Sequence, residues 1–255
     1  MLSRRRVVLN GLLTVIGGSC CARLAASTQP GHNGCWLAPD QAQPYFATAR
    51  EVHAYQNGNE RIEPRSGNSA LDRALVQSLA RLTNLLGVLP GFAYFDDSTR
   101  SNAKATNAPL LDRTDGTVLF GLRLLQECLA RPSNGDASIV AICAHEYGHI
   151  LSFNNGMIST LDPPGSGDQG VFRAEQFADY IAGYYAGTRK RQNSDYPAVA
   201  FAITQRSFGG GDHGTGEQRG EAVEAGFLAA YQHRLEPTQA FQDGLQFSMQ
   251  RALRY

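Results

Sequence analysis

Residues 143–150 read Cys-Ala-His-Glu-Tyr-Gly-His-Ile, so His145 and His149 stand four positions apart with Glu146 between them. On a helix, positions i and i+4 lie on one face, and the two imidazoles can meet a single metal ion. Glu146 then projects beside the pair, within reach of a water held by the same ion. Zinc suits this set, because it takes nitrogen and carboxylate ligands and lowers the pKa of a bound water to about 7. Residues 138–153 read as one helix with few polar interruptions. Asp136 or Ser138 is expected to cap its start, and Asn154-Asn155-Gly156 to end it. Ile139, Val140, Cys143, Tyr147, Ile150 and Leu151 supply an apolar surface, which leaves the histidines for an internal cleft.

A carboxylate pair follows downstream. Residues 171–185 form a second long helix whose apolar faces would bury it, yet Glu175 and Asp179 sit four apart on one side. Two carboxylates pointing into a protein are expensive unless something cationic meets them. Zinc meets that need: Glu175 as third ligand, and Asp179 as acceptor of the second N–H of a ligating histidine, fixing its tautomer. A solvated acidic face, paired with Arg173 or another arginine, is the alternative.

The chain starts Met-Leu-Ser-Arg-Arg-Arg, followed by an apolar, small-residue run from 7 to 18. That is the layout of an export signal, and residues 3–8 resemble the twin-arginine signal of bacteria. Residues 1–26 are therefore expected to send the chain to the periplasm or the exterior, or to anchor it in the membrane if retained. Cys20 and Cys21 lack the large aliphatic residue that usually precedes a lipoprotein cysteine. With 23 basic and 23 acidic residues and no basic stripe, nucleic acid is not an expected partner. Cys35, Cys128 and Cys143 would survive removal of the leader, and an odd number argues against a disulfide framework. Cys35 is the most mobile candidate for a single bridge. Cys143 points away from the histidine face and reads as core.

Residues 27–66 are rich in Gly, Pro, Gln and Asn and read as a poorly ordered arm or a wrapping segment, to which an autoinhibitory role is open. His32 and His53, within it, read as surface residues, as does His233. Residues 67–255 form the domain. A helix over 69–86 closes at Gly87, extended pieces follow over 91–97, 101–106 and 116–121, and a helix covers 122–129. Residues 162–170 read as a mobile loop, and residues 217–233 and 238–253 as two closing helices. The fold class is α+β, mostly helical, with a small edge sheet next to the metal-binding helix. An exposed edge there can pair with an extended substrate backbone.

His145-Glu146-x-x-His149, followed on the next helix by Glu175-x-x-x-Asp179, resembles the gluzincin metallopeptidases. Residues 175–183, Glu-Gln-Phe-Ala-Asp-Tyr-Ile-Ala-Gly, are similar to the Glu-x-x-Ala-Asp-x-x-Ala-Gly segment of the bacterial neutral zinc metallopeptidases, and close to Ste-type and HtpX-like peptidases. Residues 213–219 resemble the His-Gly-Thr-Ser-Glu-Gln-Arg signature of the neutral group, with Gly216 in place of its serine. Ile150 stands where that group often has a further histidine. The resemblance covers roughly residues 90–230.

It implies a zincin-like domain that hydrolyses peptide bonds in a protein or peptide substrate, with one Zn2+ per chain. His145, His149 and Glu175 would hold the ion, Glu146 would act as general base and then acid, and Asp179 would stand behind. His213, in a Gly-rich segment, is the candidate donor to the developing oxyanion, or else it caps the next helix. Tyr184 and Tyr185 are weaker candidates for that donor, and Arg219 is expected in a structural ion pair. Peptidoglycan cross-links are another substrate class for the same site. A zinc-binding protein without activity is the other function class, but the presence of Glu146 counts against it, since holding zinc needs no base.

Overall fold

In a computed structural model, residues 35–46, 50–52, 66–97, 100–109 and 115–254 are described. The export-signal segment, His32 and His53 lie outside the described residues. The described residues from Cys35 onward belong to one compact unit.

Five strands build one sheet: β1 (Trp36–Leu37), β2 (Arg50–Val52), β3 (Gly91–Phe95), β4 (Ala103–Thr106) and β5 (Thr117–Gly121), in the order β1-β4-β5-β3-β2. β3 and β5 run parallel, while β4 is antiparallel to β5. Both outer strands come from the segment read as poorly ordered. β1 lies parallel to β4 with Trp36 opposite Ala105, and β2 lies antiparallel to β3. A short helix, α1 (Pro39–Phe46), stands between those two strands in sequence. Residues 36–37 and 50–52 of the arm thus border the sheet on its two sides. Two- and three-residue strands are too short to leave an alternating pattern in the sequence.

Both faces of the sheet are covered. Phe92, Tyr94, Val118 and Phe120 point to the main core, while the alternate residues Ala93, Phe95 and Leu119 meet Tyr45 and Phe46 of α1. That explains why β3 and β5 read as unbroken apolar runs rather than alternating ones. Asp97, just past β3, accepts from the backbone N–H of Arg123 (2.6 Å) and Leu124 (3.0 Å), supplying the cap that α3 (Leu122–Leu129) lacks locally.

The helical layer follows. α2 (Ser69–Leu86) is capped by the Asn68 side chain and ends at Gly87, whose φ of 69° suits glycine. α4 (Gly135–Asn154) carries the two histidines and starts earlier than the sequence suggests. Neither Asp136 nor Ser138 caps it; Asn134 takes a left-handed conformation, and the Ser138 hydroxyl donates back to the Asn134 carbonyl at 3.0 Å. After α5 (Ile158–Leu161), the expected loop is shortened, because Asp168 to Gly170 already form the first turn of α6 (Asp168–Gln192). α7 (Val199–Ser207) has no counterpart in the sequence reading. α8 (Gly216–Tyr231) and α9 (Pro237–Met249) close the chain. Among the described residues no helix is long and apolar enough to cross a membrane.

Two close helix contacts set the geometry of the site. A Cβ on Gly148 of α4 would stand 2.7 Å from the Ala178 Cα of α6, so these helices touch backbone to backbone at the motif. α8 approaches α6 equally closely, with Gly226 against the Tyr180 carbonyl. α9 covers the far side of α6 through Phe247 on Tyr180 and Phe241 on Tyr184.

Candidate metal centre

The Gly148–Ala178 contact brings one turn of α4 against one turn of α6, and the ligand-type side chains meet there. His145 Nε2 and His149 Nε2 are 3.2 Å apart. His145 Nε2 lies 3.2 Å from Glu175 Oε2, and His149 Nε2 lies 3.5 Å from Glu175 Oε1. Ligand bonds of about 2.0–2.1 Å in a tetrahedral shell put donor atoms about 3.3 Å apart. The three side chains therefore outline one face of a zinc-sized tetrahedron. Glu175 Oε2 is buried without a hydrogen-bond partner, which is costly unless a cation meets it. Glu175 and Asp179 are both fully buried, so the face is not solvated, although the arginine pairing of that alternative is present for Asp179 through Arg219.

Behind the ligands stands a ring of polar contacts. Asp179 Oδ1 lies 2.8 Å from His145 Nδ1. A carboxylate oxygen only accepts, so Nδ1 carries the proton and Nε2 turns its lone pair to the centre. Arg219 donates to the same carboxylate from Nε at 2.8 Å and from Nη2 at 2.9 Å, as the ion pair expected of it. Arg219 Nη2 also donates to Gln205 Oε1 (3.1 Å), and Gln205 Nε2 donates to the Ala141 carbonyl on α4 (3.2 Å). Four helices are tied together through one carboxylate. Gln205 carried no signal in the sequence, because its helix was not legible.

Two residues from distant parts of the chain complete the cluster. His213 sits in a single 3-10 turn, Gly211–His213, with Nδ1 2.8 Å from Asp212 Oδ1 and Nε2 3.8 Å from Glu175 Oε2. It does not cap α8; Thr215 does, accepting from the Gln218 N–H at 3.2 Å. Cys35, read as mobile, is held instead. Its Sγ lies 3.3 Å from His213 Nε2, and its N–H donates to Glu175 Oε1 at 2.9 Å, across 140 positions of chain. No disulfide involves it; Cys35, Cys128 and Cys143 are all free, the last two in the core. Tyr184 donates to the Leu235 carbonyl at 2.8 Å and Tyr185 packs on Phe201, so neither serves the centre. His233 is exposed, as expected.

The electrostatics of the metal-free cluster alternate in sign. Burial opposes charge on His145, but Asp179 outweighs it and holds the imidazole well above its ordinary value. His149 is raised in the same way by Glu175. Burial also works against the Glu175 carboxylate, yet His213 and His149 keep it well below the usual range. Glu146 is the exception: burial, reinforced by negative charge on Cys35, pushes its carboxyl up to about 8. Its Oε2 is buried without a hydrogen-bond partner.

A cleft of about 190 Å³ opens onto the centre between Ser101, Ala103, Glu146, Phe208 and His213. A larger one of about 410 Å³ lies between α7 and α8, walled mainly by apolar side chains such as Tyr196, Val199, Ile203 and Phe227. The ligand-type groups gather at the smaller cleft. No family model, curated protein or solved structure matches this chain.

Proposed function

We propose that this chain is a zinc-dependent peptidase of zincin-like architecture, in which Glu146 is the general base. One observation carries the reading. Glu146 buries a carboxyl oxygen with no partner beside a triangle of His145, His149 and Glu175 spaced for zinc. A group in that position costs stability unless it handles a proton.

His145, His149 and Glu175 would hold one Zn2+ per chain. When bound there, zinc supplies Lewis acidity and lowers the pKa of water to about 7. Asp179 keeps the proton of His145 on Nδ1, so that Nε2 faces the ion, and Arg219 keeps Asp179 ionised and in place. Glu146 takes the proton of the attacking water and passes it to the departing amine. His213, steadied by Asp212, donates from Nε2 toward the oxygen of the scissile carbonyl as charge develops. The cleft between Ala103 of β4 and Glu146 suits an extended peptide, with peptidoglycan cross-links as a narrower class. In this reading residues 1–26 direct the domain out of the cytoplasm.

A second reading has its own support. Cys35 adds a sulfur to the cluster, and structural zinc sites are closed by four protein ligands. The chain would then be an inactive zinc-binding protein. A structural clip has no use for Glu146, which favours the first reading. The test is metal content together with hydrolysis of casein and quenched peptides by the chain and its Glu146→Gln variant. One zinc per chain in both, with hydrolysis lower by about 10²–10⁴-fold in the variant, is expected. Absence of zinc from both would overturn the reading.

A further inference from the structure

We infer that Cys35 is a fourth metal ligand and that residues 35–37 lie where a substrate would, so that the folded chain is the closed form of the site. This inference rests on the peptidase reading for its functional meaning, but the ligation stands or falls separately.

Position comes first. The Cys35 Sγ forms one group with His145 and Glu146 and another with Glu175 and His213, all donor atoms of each lying within 4.8 Å of one another. A zinc–sulfur bond of about 2.3 Å and a zinc–nitrogen bond of about 2.0 Å place sulfur and nitrogen about 3.5 Å apart. His145, His149 and Glu175 define one face of the tetrahedron, and the sulfur lies beside it, within 4.8 Å of donor atoms of His145 and of Glu175. Glu175 Oε2 is buried without a hydrogen-bond partner, a cost that a cation at this position would remove.

The backbone repeats the message. Ala105 of β4 donates its N–H to the Cys35 carbonyl at 2.9 Å, and β1 continues the pairing through Trp36 and Leu37. β4 is the strand whose edge borders the metal cleft, the place where an extended peptide adds to a sheet. The chain's own segment pairs with the neighbouring part of that edge, Ala105 and Thr106, and Cys35 at its start lines the cleft. A thiolate in the fourth position leaves no place for the water that hydrolysis requires.

The strap is short: β1 has two residues and α1 has eight. Its anchors besides the sulfur are Leu37 beside Ala42 and Ala108, Trp36 against Phe153, and Tyr45 and Phe46 on the outer face of the sheet. Short peripheral segments open locally at a cost below that of global unfolding. Cutting the chain beyond Cys35, or blocking the thiol, would free the site. Iodoacetamide does the latter by forming a sulfur–carbon bond as iodide leaves; Cys128 and Cys143 are buried from it, and peptide mapping tells Cys35 from Cys20 and Cys21.

The test uses the full chain loaded with zinc, and its Cys35→Ala variant. X-ray absorption at the zinc edge is expected to show one sulfur at about 2.3 Å in the parent and none in the variant. Peptide hydrolysis is expected to rise at least about tenfold in the variant, as it must if the open form of the parent is populated at about a tenth or less. A zinc shell of nitrogen and oxygen alone in the parent would overturn the inference, whatever the rates. Equal hydrolysis by both chains despite a sulfur ligand would overturn the closed-form reading too. Sulfur lost in the variant, with no hydrolysis by either, would leave Cys35 as a ligand and overturn the peptidase reading instead. Protection of Cys35 from iodoacetamide by zinc, reversed by a chelator, gives a second readout that needs no variant.

Discussion

Arg219 of α8 grips both oxygens of Asp179 on α6, at 2.8 and 2.9 Å, and the same carboxylate meets Nδ1 of His145 on α4 at 2.8 Å. One buried charge therefore orients a candidate metal ligand and neutralises a guanidinium that is itself 1% exposed. Asp179→Asn keeps the shape but blurs the tautomer of His145, and zinc affinity is expected to fall by about 10–100-fold in a chelator competition. Arg219→Met leaves the buried Asp179 with His145 as its remaining partner, and urea unfolding is expected to show a loss of about 3 kcal/mol.

Gly148→Ala tests the contact that builds the centre. The new Cβ would meet the Ala178 Cα at 2.7 Å, a backbone neighbour that cannot swing aside. A loss of about 1–3 kcal/mol is expected from thermal unfolding, with weaker zinc binding as the helices part. Unchanged stability would mean that α4 and α6 pack less closely than described.

Zinc uptake is expected to release protons. Asp179 and Glu175 hold His145 and His149 above their ordinary value despite burial, so the unligated site holds protons more tightly than free imidazoles do. Ligation requires neutral imidazoles. Titration calorimetry in buffers of different ionisation enthalpy should find more protons released per zinc at pH 7 than the roughly half a proton expected of two histidines of pKa about 6.5. Zinc affinity should therefore weaken as the pH falls.

His213→Ala separates a donor from a ligand. Burial lowers the pKa of this imidazole, but Glu175 and Cys35 outweigh it and push it up to about 11, so it is a cation with a proton to give. Zinc content is expected to be unchanged, and kcat in the Cys35→Ala background to fall by about 10²–10³-fold. Loss of zinc instead would make His213 part of the metal shell.

The parts of this site that lie on regular helices were legible from spacing alone. His145 with His149 and Glu175 with Asp179 repeat every four residues, and a helix turns that repeat into one face. Helix α7 was not legible because its polarity is inverted: Val199 and Ile203 are 73% and 57% exposed, while Thr204 and Gln205 are buried. No apolar period marks such a helix, and Gln205 was missed with it. Cys35 was missed for a different reason. It reaches Glu175 across 140 positions through a two-residue strand, and no local pattern encodes a contact of that range.

The three strands β4, β5 and β3 are bordered on one side by β1 and on the other by β2. Lifting β1 would bare the edge of β4 at Ala105 and Thr106, and its backbone groups cannot tell a peptide from the same edge of another molecule. An opened preparation would then compete with itself for substrate. Its rate per molecule would drop as the protein is concentrated and recover on dilution, so keeping the strap seated until needed also keeps the molecules apart.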